Sequence, residues 1–314
     1  MPERGRNMDY KEFREKILEE LEDFYGKDAL VKIHKIYKNN GVVKYGVVTR
    51  FTDGNSSSAV PVIYLEELYR CYSEGSITIE ECIGKVIDKR EESRNNQEYV
   101  MGMSVNIMEW EYARHNIYPV FLPKESNREM LKNLITTDML DLVIVYIIRG
   151  KAEDGSFTSI KINRFLLGQY GISRESLHKQ ALSNIKKDGY RFYGIAGALE
   201  SFIENGSFSA SCTREESITP QGLMYIMTNS AAFYGTAGIL DSGWLHGRTG
   251  GNSCYIIPSS VHELLFIPDN GQANQDELDR MVQEINFLEV AEDERLSWHC
   301  YYYDAATGEI RTRK

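Results

Sequence analysis

Between Leu140 and Arg149 the chain reads Leu-Asp-Leu-Val-Ile-Val-Tyr-Ile-Ile-Arg, a run rich in β-branched residues and closed by Gly150. Such side chains pack well on a pleated surface and lose rotamer freedom in a helix, so the run predicts a strand. It does not alternate polar with apolar, and a strand without alternation is covered on both faces. Its apolar core, Leu142 to Ile148, falls far short of the roughly 18 residues that cross a bilayer. The chain therefore has to lay other strands and helices over this one.

Several stretches have the period to do so. Tyr10, Phe13, Ile17, Leu21 and Phe24 recur at helical spacing within Asp9 to Tyr25, and Gly26 ends that helix. Two alternating strands follow, Leu30 to Lys38 and Val42 to Phe51, joined by Asn39-Asn40-Gly41, where Asn-Gly supplies a tight hairpin turn. A turn at Asp53-Gly54 leads to a third strand near Ala59 to Tyr64. Two helices come next, Leu65 to Glu74 and one opened by Thr78 with Glu81 three residues on, a reciprocal capping box. The polar stretch Asp88 to Gln97 is expected to end that helix or leave it solvated, and Tyr99 to Tyr112 reads as a helix bridging two lobes.

Beyond it, Ile117 to Leu122 is a short strand, and Ser126 with Glu129 reads as a second capping box for a helix through Met130, Leu131 and Leu134. After the central strand, the turn Glu153-Asp154-Gly155 returns the chain through Phe157 to Ile162. Ser173 caps a helix carrying Leu177, Ala181 and Ile185. Ser201 to Gln221 is expected to be a loop. Strands are expected at Leu223 to Met227, Tyr255 to Pro258 and His262 to Ile267. A final helix from Asn274 has Leu278, Met281, Val282, Ile285 and Leu288 as its buried stripe, and Trp298 to Tyr303 is expected as an edge strand. The fold class is α+β with two lobes: a smaller N-terminal helix plus three-stranded meander, residues 9–112, and a larger C-terminal mixed-sheet lobe with helices, residues 113–314. Residues 1–8 read as a disordered extension.

The 314 residues carry a net charge of -10, which repels phosphate backbones, and the basic residues form no run. No nucleic-acid or membrane partner is expected, while a protein partner is compatible with the surface. Cys71, Cys82, Cys212, Cys254 and Cys300 are scattered without a C-x-x-C pair, which implies reduced thiols and a cytoplasmic protein. No cofactor and no metal is implied: the histidines are dispersed, and neither H-E-x-x-H nor a glycine-rich phosphate motif occurs.

Candidate chemistry is sparse. Ser259, Ser260, His262 and Glu263 sit between two apolar strands, and a nucleophile beside a base suits acyl transfer, with Asn229 as a donor to a developing oxyanion. The G-x-S-x-G elbow is missing, and a turn with a hydrogen-bonded histidine accounts for the same residues. Glycines from Gly235 to Gly251 invite a phosphate cradle but fit a flexible loop better. Cys254 and Cys300, beside His262 or His299, read as packed thiols. Asp138 and Asp141, at the mouth of the central strand, are either solvated ends or paired acids. Tyr301, Tyr302 and Tyr303 form a binding surface if exposed and a covered sheet face if not.

Asn39-Asn-Gly41, Pro61-Val-Ile-Tyr-Leu65, Leu140-Asp-Leu-Val-Ile-Val-Tyr146, Gly171-Ile-Ser173, Met224-Tyr-Ile-Met-Thr-Asn229, Tyr255-Ile-Ile-Pro-Ser-Ser-Val-His-Glu263, the last helix through Asn286, and Leu296 to Asp304 together resemble a bacterial family of unknown function, mostly from low-GC Gram-positive bacteria. The resemblance spans nearly the whole chain and implies a standalone cytosolic protein. It brings no activity, cofactor or catalytic residue, and it leads one to expect an acidic residue where Trp298 stands. The functional expectation is a non-enzymatic cytosolic interaction or regulatory module; the alternative is a hydrolase or acyl-transfer enzyme using the Ser259 to Glu263 turn.

Overall fold

The structure is a computed structural model that describes residues 8–52, 62–95, 107–151, 157–205 and 215–312, without the side chains of 93–95 and 201–205. The chain divides into two compact units, residues 1–38 with 42–107, and residues 39–41 with 108–314. The turns expected at Asp53-Gly54 and Glu153-Asp154-Gly155 lie outside the described residues.

In the first unit, helix α1 (Tyr10–Tyr25) opens on a capping box in which Asp9 accepts from backbone N–H groups and Glu12 accepts from the Asp9 N–H. Its apolar stripe, Phe13, Ile17, Leu21 and Tyr25, is buried. It meets the antiparallel meander of β1 (Ala29–Tyr37), β2 (Val43–Phe51) and β3 (Ile63–Tyr64). Helices α2 (Glu66–Ser73) and α3 (Ile79–Asn95) add Leu68, Cys82 and Val86 to that core. Of the two outcomes expected for the polar stretch, α3 does not end near Asp88 but continues largely solvated, with one charge turned inward. Arg90 is buried, its Nε donates to the Thr49 carbonyl at 3.0 Å, and its guanidinium lies over the Phe51 ring.

The second unit holds two antiparallel sheets. Helix α4 (Trp110–Asn116) leads into β4 (Ile117–Pro123), which pairs along one side of β6 (Leu142–Lys151). On its other side β6 pairs with β5 (Thr136–Met139) and then with β7 (Phe157–Lys161). Strand β6 is the continuous apolar run, buried from Leu142 to Ile148. The Ser126 cap is not formed: helix α5 is a single turn (Arg128–Leu131), and the Ser126 hydroxyl bonds Asn40 instead. Helices α6 (Arg164–Tyr170) and α7 (Arg174–Ile185) follow, α7 capped by Ser173 as expected.

The second sheet runs β13-β12-β10-β11-β9-β8, with β8 (Arg191–Gly194), β9 (Tyr225–Thr228), β10 (Cys254–Ile257), β11 (Leu264–Pro268), β12 (Tyr301–Asp304) and β13 (Glu309–Arg311). The loop expected from Ser201 starts later, because helix α8 (Ile195–Asn205) covers its beginning. The glycine-bearing middle is a packed 3-10 turn (Gly235–Leu240) and a short helix α9 (Ser242–Arg248), not a flexible loop. A Cβ on Gly235 would lie 2.5 Å from the His262 carbonyl, and one on Gly238 2.6 Å from the Tyr190 ring. Those glycines permit close backbone approach. Helix α10 (Gln275–Leu288) starts from an Asn274 cap. Strand β12 is not an edge: it lies between β10 and β13.

Candidate functional site

The Ser259 to Glu263 turn joins β10 to β11, and its polar groups satisfy one another. Ser259 Oγ donates to Glu263 Oε1 at 3.1 Å, and Ser260 Oγ accepts from the His262 N–H at 3.0 Å. The His262 ring accepts at Nδ1 from the Tyr234 backbone N–H at 3.1 Å, which leaves the ring proton on Nε2, 3.7 Å from a Glu294 oxygen. The same ring packs at a tilt against Phe233 and Tyr234. Asn229 is fully buried, and its amide N–H groups are spent on Asp188 Oδ2 at 2.7 Å and the Phe233 carbonyl at 3.0 Å. Asn229 and His262 thus both hold the Phe233-Tyr234 turn, and Ser259 bonds to neither.

Behind that turn lies a buried ion pair. Arg149 on β6 meets Asp188 through both Nη atoms, with its guanidinium over the Tyr118 ring. Burial works against the Arg149 charge, but the Asp188 contacts outweigh it and hold the pKa above its ordinary value. Burial, reinforced by Asp188, likewise pushes the Tyr190 hydroxyl well up. These groups form a network that ties β6 to the segment between α7 and β8.

The three tyrosines are buried at 4%, 5% and 0% exposure, so they are core and not surface. Their hydroxyls fasten β12 to its surroundings: Tyr301 donates to Asp141 Oδ1 at 2.8 Å, Tyr302 to Asp269 Oδ2 at 2.9 Å, and Tyr303 meets His246 Nδ1 at 3.2 Å. Cys254 and Cys300 are fully buried, and burial pushes both thiols up, Cys300 to about 12 with help from Asp279. Neither is a ready thiolate. Among the described residues no group of three His, Cys, Asp or Glu gathers as a metal cluster, and no helix is long and apolar enough to cross a membrane.

Trp298 lines two concavities. The first is a cavity of about 340 Å³ bordered by Asn40, Lys124, Asp141, Glu292, Arg295 and His299, among others. Its frame is rigid. Asn40, at φ 59°, accepts from the Ser126 hydroxyl and donates to the Glu292 and Arg295 carbonyls at 2.7 and 2.8 Å. Across it, His299 Nε2 meets Asp141 Oδ2 at 3.1 Å while Nδ1 meets the Cys300 carbonyl at 3.0 Å. Both partners are acceptors, so the doubly protonated ring fits best. The Asp141 bond raises the His299 pKa against the opposing effect of burial. Burial alone would raise Asp141, but its bonds from His299 and Tyr301 prevail and hold it below the ordinary value. Asp138 bonds Lys124 at 2.8 Å, so the two acids at the strand mouth serve separate ion pairs.

The second concavity, about 610 Å³, is lined by Arg280, Gln283, Glu284, Phe287 and Leu288 of α10 and by Trp298. Phe287 is 77% exposed, Leu288 71% and Trp298 51%. The helical stripe misassigned part of this face. The buried residues of α10 are Leu278, Val282 and Asn286, which leaves Leu288 outside and Met281 partly so. Asn286 takes the inward position because its amide donates to the Ser297 carbonyl at 2.6 Å. Sequence reasoning passed over Phe287, Arg295 and Glu292 altogether, and took Trp298 as the start of an edge strand and a departure from an expected acid, whereas the strand begins at Tyr301.

Comparison with curated proteins and with solved structures finds no match. A match over residues 10–305 of this chain places it in a family that its own sequence passages already resembled, and the chain belongs to that family of unknown function, DUF5688.

Proposed function

We propose that the protein is a non-enzymatic interaction module whose contact face is the concavity of α10 and Trp298, and that the partner this face fits is a second copy of the chain. The observation that carries the reading is the clustering of Phe287, Leu288 and Trp298, all largely exposed, around one hollow. Exposed apolar residues gathered in one place mark interaction sites, whereas scattered ones do not. A two-fold interface needs a self-complementary patch. Helix α10 supplies one: Arg280 and Glu284 stand one turn apart on the rim, and among the described residues neither side chain has an ion-pair partner. Crossed antiparallel on its copy, the helix brings each Arg280 to the other Glu284. The free thiols of Cys71, Cys82, Cys254 and Cys300 suit a reducing cytoplasm.

The acyl-transfer alternative finds less support. Ser259 would have to exchange Glu263 for a base, and Asn229 has no amide hydrogen left for an oxyanion. Sedimentation of the full chain over a range of concentrations tests the proposal. A monomer-dimer equilibrium weakened at least tenfold by Phe287→Ser is expected, since losing a buried aromatic at an interface costs about 2 kcal/mol or more. A protein that stays monomeric at all concentrations, or a dimer indifferent to Phe287, overturns it.

A further inference from the structure

The 340 Å³ cavity on the other side of Trp298 has a charge inventory that selects a ligand. Most of its charged walls are already neutralised: Lys124 by Asp138, Glu125 by Arg128, and His299 by Asp141. Two remain. Arg295 spends its Nε on the Val290 carbonyl at 3.1 Å and lies 5.7 Å from the Trp298 ring centroid, and its Nη atoms have no partner among the described residues. The Glu292 carboxylate has none either, and the two charges do not pair with each other. Beside them the cavity offers an apolar wall of Trp298, Pro123 and Leu296.

One free cation, one free anion and an aromatic wall match a small zwitterion with an apolar body. We propose that this cavity binds a free α-amino acid with an aromatic side chain. Its carboxylate lies against the Arg295 guanidinium, whose paired N–H groups suit a carboxylate. Its ammonium lies against Glu292, and its ring stacks on Trp298. The volume falls within the range of small-ligand pockets, at its lower end. Asn40 ties the Glu292 and Arg295 backbones together. The site needs no second copy of the chain, and Arg295 and Glu292 line this cavity and not the α10 hollow, so their substitutions test it apart from the self-association proposed above.

The test is calorimetry, with tryptophan fluorescence alongside, on the full chain with L-phenylalanine, 3-phenylpropionate and phenethylamine as probes. L-Phenylalanine is expected to bind with a Kd of about a millimolar or below. Each analogue, lacking one charge, should bind roughly 10- to 100-fold more weakly. Glu292→Gln should weaken phenylalanine while leaving phenylpropionate unchanged, and Arg295→Met should do the same for phenethylamine as the unchanged probe. That crossed pattern cannot come from misfolding, which would abolish all three. No binding by phenylalanine, or an analogue binding as tightly as phenylalanine to the unsubstituted protein, overturns the proposal.

Discussion

His299 and Asp141 illustrate how much one residue's setting decides. His299 carries a raised pKa, so its contribution to stability is complete below the unfolded value of about 6.5 and disappears as pH rises through the folded one. Asp141 is lowered, so its contribution is present above the unfolded value of about 3.9 and disappears as pH falls through the folded one. The pair is therefore worth most between about pH 4 and 6.5. His299→Gln should cost roughly 1 kcal/mol at pH 5.5, a modest figure because both side chains are partly solvated, and clearly less at pH 9. Urea unfolding at the two pH values checks this, and an equal penalty at both would refute the assignment. Trp110, Trp244 and Trp298 all belong to the second unit, so tryptophan fluorescence follows the unit concerned. The sequence showed Asp141 and His299 separately. Nothing in local periodicity brings together residues so far apart in the chain, and only the pairing of β5 with β6 and the placement of β12 do so.

At the scale of elements, the segments with strong periods and caps were legible: α1, the β1-β2 hairpin, β6, α7 and α10 stand close to where the pattern put them. Hidden elements had weak local signals. Strand β5 reaches β6 through a two-residue turn that has neither glycine nor asparagine, and Leu140 sits in it at φ 56°. A branched side chain in that region is strained by about 1 kcal/mol. Leu140→Gly should therefore raise stability by roughly 0.5–1 kcal/mol in urea unfolding, and a destabilised variant would show that Leu140 contributes packing that outweighs its strain. The same limit hid the inward turn of Arg90 and the outward turn of Leu288, because a helical stripe does not say which of two neighbouring lines faces the core. The buried pair makes a further prediction. Arg149→Met should cost about 3–5 kcal/mol by leaving Asp188 buried without its counter-charge, whereas Arg149→Met with Asp188→Asn should cost less than Arg149→Met alone. Additive penalties would show that the two side chains are not coupled.

For the whole molecule, the functional expectation shifts in location more than in kind. The tyrosines that looked like a binding surface are the inside of a sheet, and the exposed apolar face belongs to residues that patterning had assigned to the core of α10 or had passed over. Family membership reaches from residue 10 to residue 305 and assigns no activity. The central claim is that α10 packs against its own copy through Arg280, Glu284 and the apolar cluster. The most direct measurement is the dimer dissociation constant, by sedimentation equilibrium, for Glu284→Arg, for Arg280→Glu, and for both together. Each single reversal is expected to weaken the dimer, and the double swap, which restores both opposite-charge contacts, is expected to recover most of the loss. A dimer unaffected by either reversal, or a double swap as weak as the two singles combined, would contradict the account.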